Sequence, residues 1–182
     1  MAEEGLTIRE ENPGDIPAIR GVNEWAFGRP NEADLVDALR KDRACLLSLV
    51  AVQKEKVIGH IFFSPLGVDS ISGRHQGAGL APVSVLPEYQ RKRIGTRLIK
   101  EGLRRLKEKD CPWVVVLGHP GYYPRFGFIP ARHHGLRCEF DAPEEAFMVL
   151  VLAGGIPFPG MASCNSILNS GKHDTEHGQP IP

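Results

Sequence analysis

Cysteine is scarce in this chain of 182 residues, which has only Cys45, Cys111, Cys138 and Cys164. They are far apart and form no Cys-x-x-Cys pair, so the sequence favours neither a disulfide framework nor a structural metal site. No apolar run approaches the roughly 20 residues that a membrane-spanning helix needs. The acidic start, Met-Ala-Glu-Glu, differs from the basic start of a secretion signal. These absences predict a cytoplasmic protein with no metal and no membrane segment.

Net charge is absent too, because 22 Lys and Arg balance 22 Asp and Glu. A nucleic-acid-binding domain usually has a basic surplus, and the chain has no helix-turn-helix, RNA-binding or Walker-type motif. Its hydrophobic share of 42% and charged share of 24% are those of an ordinary soluble domain. We therefore expect one domain over residues 1–153, and no nucleic-acid partner.

The segment from residue 80 to 99 predicts a strand, a basic loop and the start of a helix. Residues 80–86 are apolar and rich in valine, and Pro87 ends this run. Pro82 has no backbone N–H to donate, so we expect the strand to be bulged there. A helix is predicted to run from Ile94 to about Lys109, because its apolar side chains share one face.

The loop before this helix suits an anion. The first N–H groups of a helix have no intrahelical partner and carry the positive end of the helix dipole. Gly95 lets a ligand approach the backbone closely. From Glu88 to Asp110 there are nine Lys or Arg and four Asp or Glu, a local surplus in a neutral chain. The segment therefore predicts a site for a phosphate-bearing ligand.

The other hydrophobic patterns give the order of the remaining elements. Strands are predicted at residues 6–10, 45–52, 56–63, 113–117 and 147–152, helices from residue 16 and at 32–41, and a helical turn at 122–126. Residues 69–79 are predicted to form a loop or a weak strand extension. The 29 residues from Gly154 contain little hydrophobic pattern and are predicted to form a mobile tail. This order indicates an α/β fold with a mixed sheet.

Two segments carry a resemblance to a known family. Residues 85–98, Val-Leu-Pro-Glu-Tyr-Gln-Arg-Lys-Arg-Ile-Gly-Thr-Arg-Leu, resemble motif A of the GNAT superfamily of N-acetyltransferases, Gln/Arg-x-x-Gly-x-Gly/Ala. Gln90 and Gly95 match this pattern, whereas Arg93 stands where the family has its first glycine. Residues 123–128, Tyr-Pro-Arg-Phe-Gly-Phe, are similar to the family's Tyr-x-x-x-Gly-Phe segment. The resemblance extends over roughly residues 6–152.

The resemblance implies a mixed, mainly antiparallel sheet flanked by helices and splayed at a bulged central strand. It implies acetyl-CoA as cosubstrate, an amine as acceptor and, as in many similar proteins, a homodimer. Tyr123 matches the family's general acid, and Tyr122 is the second choice. The residues expected to contact acetyl-CoA are Val83, Val85, Gln90, Arg91, Lys92, Arg93, Gly95 and Thr96.

A general base is harder to identify. A free alkyl amine has a pKa of about 10.4, so it must lose a proton before it attacks a carbonyl carbon. His119 is a candidate, directly or through water, and its alternative role is to close a turn. Glu24 is a candidate for binding an ammonium group, but surface glutamates are common. His60 lies in an apolar strand, which is typical of a hydrogen-bonded core histidine. A further alternative is that ordered water deprotonates the amine and that no side chain acts as the base.

Two classes of function remain open from the sequence. The first is an N-acetyltransferase that acts on a primary amine of a small molecule or peptide, including a protein lysine or N-terminus. The second is a non-catalytic CoA-binding module of the same fold, which the replacement of the family glycine by Arg93 permits. No motif identifies the acceptor.

Overall fold

The computed structural model describes residues 5–138, 142–155 and 159–163. The helices are α1 (Ile16–Phe27), α2 (Asn31–Lys41) and α3 (Ile94–Glu108). The strands are β1 (Leu6–Glu10), β2 (Leu47–Gln53), β3 (Lys56–Ser70), β4 (Gly73–Val85), β5 (Trp113–Leu117), β6 (Ile129–Pro130), β7 (Leu136–Cys138), β8 (Phe147–Val151) and β9 (Gly160–Ser163). Within these residues, no helix is long and apolar enough to cross a membrane.

The strands form one sheet in the order β1-β2-β3-β4-β5-β8-β6. Neighbours along this path are antiparallel except β4 and β5, which run parallel. Strand β9 adds to the far end of β3 and also pairs with β7. The predicted α/β fold with a mixed, mainly antiparallel sheet is confirmed.

Helices cover both faces of the sheet. Successive side chains of a strand point to opposite faces, and a Cβ atom added to Gly59 of β3 would meet Leu98 of α3. The next residue, His60, contacts Asn23 of α1 on the other face. Phe62, which lies on the same face as His60, packs against apolar side chains of α2. Helices α1 and α2 therefore lie on one face and α3 on the other.

Strand β4 is bulged where Pro82 predicts it. Ile61 of β3 pairs with Val83, but Phe63 pairs with Leu80, so β4 has one extra residue at this point. Strand β5 pairs with β4 only from Ala78 to Leu80. After the bulge, β4 continues to Val85 without β5, and the two parallel strands splay apart. This confirms the splayed sheet that the family resemblance implies.

Other parts of the fold differ from the sequence prediction. Most of residues 69–79 are strand, because β3 and β4 continue as one long hairpin whose far end pairs with β9. Strands β6 and β7 have two and three residues, too few to show a hydrophobic period. Strand β9 lies within the segment from Gly154 that the sequence predicts as a tail. Residues 164–182, the larger part of that prediction, lie outside the described residues.

Candidate functional site

The backbone of β4 beyond its bulge forms one wall of a cleft. The Leu86 N–H donates to the Ile58 carbonyl, 2.9 Å away, and antiparallel pairs alternate between bonded and non-bonded. Ser84 therefore faces β3 with its N–H, whereas the N–H groups of Val83 and Val85 point away from β3. They point to the side from which β5 has separated. Two adjacent backbone donors thus face the opening between the splayed strands.

The loop after β4 folds back onto the strand end. The Gln90 side-chain amide donates a hydrogen bond of 3.1 Å to the Val85 carbonyl oxygen. The Lys92 ammonium donates to the Glu88 carbonyl oxygen at 2.8 Å and lies 5.1 Å from the centre of the Tyr89 ring. These contacts fix the loop through its own backbone. Gln90 and Lys92, predicted to contact a ligand, are thereby engaged in shaping the loop.

Arg93 adopts the backbone conformation that glycine favours. Its φ is 60° and that of Arg91 is 61°, both in the left-handed region. This region costs an L-residue with a side chain about 1–2 kcal/mol, a cost that glycine avoids. Both arginine side chains are exposed. The loop therefore has left-handed backbone at Arg93, where the family has glycine, and adds a guanidinium at its surface.

The start of α3 offers free backbone donors beside this loop. The first N–H to bond within the helix is that of Arg97, which donates to the Arg93 carbonyl at 3.0 Å. The N–H groups of Ile94, Gly95 and Thr96 precede it and have no intrahelical acceptor. Among the described residues, no side chain caps this end. With Gly95 buried and the arginines at its rim, the end is suited to bind a phosphate group.

Tyr122 brings an unpaired hydroxyl to the start of α3. The side chain is 2% exposed, and within the part of the chain that the structure describes its hydroxyl has no hydrogen-bond partner. Burial raises the pKa of this hydroxyl, while the nearby Thr96 hydroxyl and then Arg125 oppose that rise. Thr96 is close enough for this influence but does not meet hydrogen-bond geometry. A buried polar atom without a partner points to a ligand at this position.

Tyr123 is buried among aromatic rings at the end of β5. Its ring lies 5.7 Å from that of Phe128 and 5.3 Å from that of Tyr122, centre to centre, both edge-on. Its ring also fills the space that a side chain at Gly118 would need. Burial, and then the neighbouring Tyr122, raise the pKa of Tyr123, so its hydroxyl keeps its proton at neutral pH. This is the protonation state that a general acid requires.

The predicted base, His119, and the predicted ammonium-binding residue, Glu24, are already engaged. His119 is exposed, and its Nδ1 accepts a hydrogen bond of 3.1 Å from the Gly121 N–H. In a neutral ring this leaves the proton on Nε2, so the lone pair that would accept a substrate proton is occupied. Glu24 forms an ion pair of 2.9 Å with Arg20, one helical turn earlier. His119 closes a turn here, and its role as a base remains a prediction.

A groove of about 600 Å³ lies beside α1, on the opposite face of the sheet from α3. Its apolar floor includes Val22 and Leu86, and Leu86 directly follows Val85. Trp25, 73% exposed, lies along it. Its charged lining residues are Asp15, Glu55, Lys56 and Glu88, three carboxylates and one ammonium. The groove therefore favours a cationic ligand with an apolar part.

The sequence did not reveal a chain of buried polar side chains next to the cleft. It contains Asn23, Ser48, His60 and Ser84, which are all buried. Polar residues at the centre of apolar strands were the available signal, and His60 was interpreted as a core residue on that basis. Across residues 5–138, 142–155 and 159–163, no three His, Cys, Asp or Glu side chains gather where a metal could bind.

Comparisons with known proteins agree with this geometry. The sequence profile of the Acetyltransferase (GNAT) family matches residues 16–128. The chain is 41% identical over 149 residues to YhbS, an uncharacterised N-acetyltransferase of Escherichia coli K12, covering 81% of this chain and 88% of the relative. It is 38% identical over 148 residues to YjhQ, an uncharacterised N-acetyltransferase of the same organism, covering 80% and 82%.

Solved structures extend the similarity to three dimensions. The crystal structure of E. coli YhbS in complex with CoA has a TM-score of 0.79 and 39% identity, and the match covers 87% of this chain and 88% of that one. A GNAT acetyltransferase from Brucella melitensis in complex with acetyl-CoA has a TM-score of 0.76 and 35% identity, covering 92% and 100%. The splayed sheet, the basic loop and these relatives lead to one conclusion: the chain belongs to the GNAT family of acetyltransferases.

Proposed function

We propose that this protein transfers the acetyl group of acetyl-CoA to a primary amine. The observation that carries the proposal is the cleft, where two backbone donors of β4 face the gap beside a basic helix start. Family membership supports an acetyltransferase, and the complexes of similar proteins with CoA and acetyl-CoA support the donor. The primary-amine acceptor is the finer part of the proposal and rests on the groove described above.

The residues around the cleft fit acetyl-CoA. The free N–H groups of Gly95 and Thr96 would bind the pyrophosphate, with the guanidinium groups of Arg91 and Arg93 adding charge. The unpaired, buried hydroxyl of Tyr122 supports this fit, because a ligand atom there would give it a hydrogen-bond partner. Gln90 and Lys92 act through the loop, whose shape their contacts with Val85 and Glu88 maintain.

The cleft residues also suit the chemistry of acyl transfer. Acetyl-CoA supplies a thioester, at which the carbon–nitrogen bond forms and the carbon–sulfur bond breaks. The nitrogen gives one proton to solvent before it attacks and a second as the amide forms. The N–H of Val85, with that of Val83 beside it, would donate to the acyl oxygen as it gains negative charge. Tyr123, which matches the family's general acid, would give its proton to the departing sulfur, and its hydroxyl is protonated at neutral pH.

The groove beside α1 is the proposed approach of the acceptor. An amine enters as an ammonium at neutral pH, and carboxylates outnumber ammonium groups in the lining by three to one. Glu55 lies on a turn at its rim, while Asp15 and Glu88 pair with Arg9 and Lys56. The exposed face of Trp25 attracts cations and apolar groups alike. These features favour a cationic amine with an aliphatic or aromatic part.

Thermal unfolding with and without acetyl-CoA tests the first requirement. A ligand at about 100 times its dissociation constant adds about 2.7 kcal/mol to the free energy of unfolding. We expect a clear rise in midpoint, lost in Gly95→Glu, which places a carboxylate where the phosphate binds. An amine screen with thiol release as readout follows. No shift in the unmodified protein would contradict the proposal.

The same pair of measurements addresses the alternative, a non-catalytic CoA-binding module. Such a module would show the thermal shift but no thiol release with any amine. Arg93 has a left-handed backbone, a conformation that glycine adopts without strain, and this favours retention of the cofactor site.

A further inference from the structure

A fully buried histidine lies one strand away from the cleft and has no part in the chemistry above. His60 is 0% exposed at the centre of β3. Its Nδ1 lies 3.3 Å from the Asn23 side-chain nitrogen in α1, and its Nε2 lies 3.0 Å from the Ser48 hydroxyl in β2. Both ring nitrogens are thus paired with side chains from different elements.

Counting protons fixes the direction of every bond in this chain. The Ser48 hydroxyl is also hydrogen-bonded to the Glu11 carboxylate, which can only accept. Ser48 has one proton and gives it to Glu11, so it must accept from the His60 Nε2–H. The His60 Nδ1 is then the acceptor, and the Asn23 amide nitrogen donates to it.

This series of hydrogen bonds ends on β4, the strand that lines the cleft. The Asn23 side-chain oxygen accepts a hydrogen bond of 2.7 Å from the Ser84 hydroxyl. Ser84 lies between Val83 and Val85, the two residues whose N–H groups face the gap. At the other end, two guanidinium nitrogens of Arg40 in α2 hold Glu11 at 3.0 and 2.6 Å. The series Ser84–Asn23–His60–Ser48–Glu11 therefore joins α1, α2, β2 and β3 to the cleft wall.

The cleft wall needs such an anchor. Strand β5 stops pairing at Leu80, and Pro82 contributes no ladder donor, so among the described residues β4 beyond the bulge pairs with another strand on one edge only, that of β3, while the Gln90 side chain contacts its other edge at Val85. A strand held on one edge can shift along it, and a shift of about 1 Å in a catalytic group costs roughly 10²-fold in rate. The Ser84 side chain adds a further attachment, which is directed out of the sheet to Asn23 of α1.

We propose that Ser84, Asn23 and His60 are positioning residues, which hold the Val83 and Val85 N–H groups where they donate to the acyl oxygen. This inference rests on the proposed function. The hydrogen-bonded series acts by position and not by proton transfer, because the amide of Asn23 is neither an acid nor a base at neutral pH. It also couples the helices beside the groove to the wall that contacts the acyl group.

The test compares Ser84→Ala with Ser64→Ala. Ser64 is a buried serine of β3 whose hydroxyl has no hydrogen-bond partner among the described residues, so this control removes the same atom without breaking the chain. The probe is acetyl-CoA labelled with ¹³C at the carbonyl, bound to each full-length protein. Infrared difference spectroscopy reports hydrogen bonding to the carbonyl, which lowers its stretching frequency.

We expect Ser84→Ala to raise the stretching frequency of the carbonyl, because the hydrogen bonds to its oxygen are weakened, and Ser64→Ala to leave it unchanged. Thiol release should fall at least tenfold in kcat in Ser84→Ala, with KM for acetyl-CoA changed less than about twofold. An unshifted band in a folded Ser84→Ala that binds acetyl-CoA would overturn the inference. If neither the unmodified protein nor any variant binds acetyl-CoA, the result contradicts the proposed function itself and not only this inference.

A second variant covers the case in which Ser84→Ala does not fold. Ser48→Ala breaks the hydrogen-bonded series between His60 and Glu11, two hydrogen bonds further from the cleft than Ser84→Ala does. It should shift the carbonyl band in the same direction and by less, whereas Ser48→Thr, which keeps the hydroxyl, should restore it. A band that is identical in Ser48→Ala and in the unmodified protein would show that the chain does not position β4.

Discussion

The ring of Tyr123 occupies the space that a β-carbon at Gly118 would need, so any larger residue at this position would overlap it. Gly118→Ala should therefore lower the free energy of unfolding by about 1–3 kcal/mol, as overpacking does, and lower turnover because the ring moves. Chemical denaturation and thiol release measure the two effects. Gly121→Ala is the control, since it lies in the same turn and its added methyl meets only the His119 ring, at 3.2 Å. Equal behaviour of the two variants would contradict this packing.

Exchange of each tyrosine for phenylalanine should separate their roles. Tyr123→Phe removes the proposed acid and should lower kcat by about 10²-fold or more, the usual contribution of general acid catalysis. Tyr122→Phe removes a hydroxyl that has no hydrogen-bond partner among the described residues. It should leave the unliganded fold at least as stable and raise KM for acetyl-CoA more than it lowers kcat. A larger loss of kcat in Tyr122→Phe would assign the acid to Tyr122.

Arg93→Gly should stabilise the free protein. Glycine adopts the φ of 60° without the steric cost that arginine has, so we expect a gain of about 0.5–1 kcal/mol in the free energy of unfolding. Arg93→Ala is the matched control, because it removes the same charge but keeps the left-handed strain. If both variants lose the same affinity for acetyl-CoA, the loss comes from removal of the guanidinium group. Equal stability of both variants would show that the strain is not the cause.

The buried His60 predicts loss of stability in mild acid. Burial, and then the positive Arg40, lower its pKa from 6.5 to about 3, so the folded protein keeps this ring neutral while the unfolded chain protonates it. The contribution of the neutral, buried His60 to the free energy of unfolding is complete above pH 6.5. It is lost at about 1.4 kcal/mol per pH unit as pH falls toward about 3.

Denaturation at pH 7 and pH 5 measures this effect. The groups that face His60 are Asn23 and Ser84 from one side and Ser48, Glu11 and Arg40 from the other. The unmodified protein should lose about 2 kcal/mol more than His60→Gln, a variant with no group that titrates there. Equal losses in both proteins would show that His60 does not titrate in this range.

Acceptor binding should be visible in tryptophan fluorescence. The chain has two tryptophans, of which Trp113 is fully buried and Trp25 is 73% exposed in the groove. Titration with phenethylamine or spermidine in the presence of CoA should change the emission of the unmodified protein, and Trp25→Phe should abolish the change. An amine that is acetylated with no change in emission would place the acceptor outside this groove.

The sequence alone determined the elements whose signals are local. The strand ending before Pro87, the bulge at Pro82 and the helix from Ile94 depend on residues within a few positions of one another. Strands β1 and β5 and the starts of α1 and α3 coincide with the predicted residues for the same reason. Periodicity and turn chemistry operate over such distances, so these features were readable without the fold.

Tertiary structure decided which groups face one another. Gly102 lies within α3, where sequence reasoning favours alanine, yet a Cβ atom there would lie 2.5 Å from the ring of Phe63. The partners of His60 come from positions 12 to 37 residues away, and Ser84 is 61 residues from Asn23. Such pairings depend on strand register and helix placement, which result from packing of the whole chain and leave no periodic signal in the sequence.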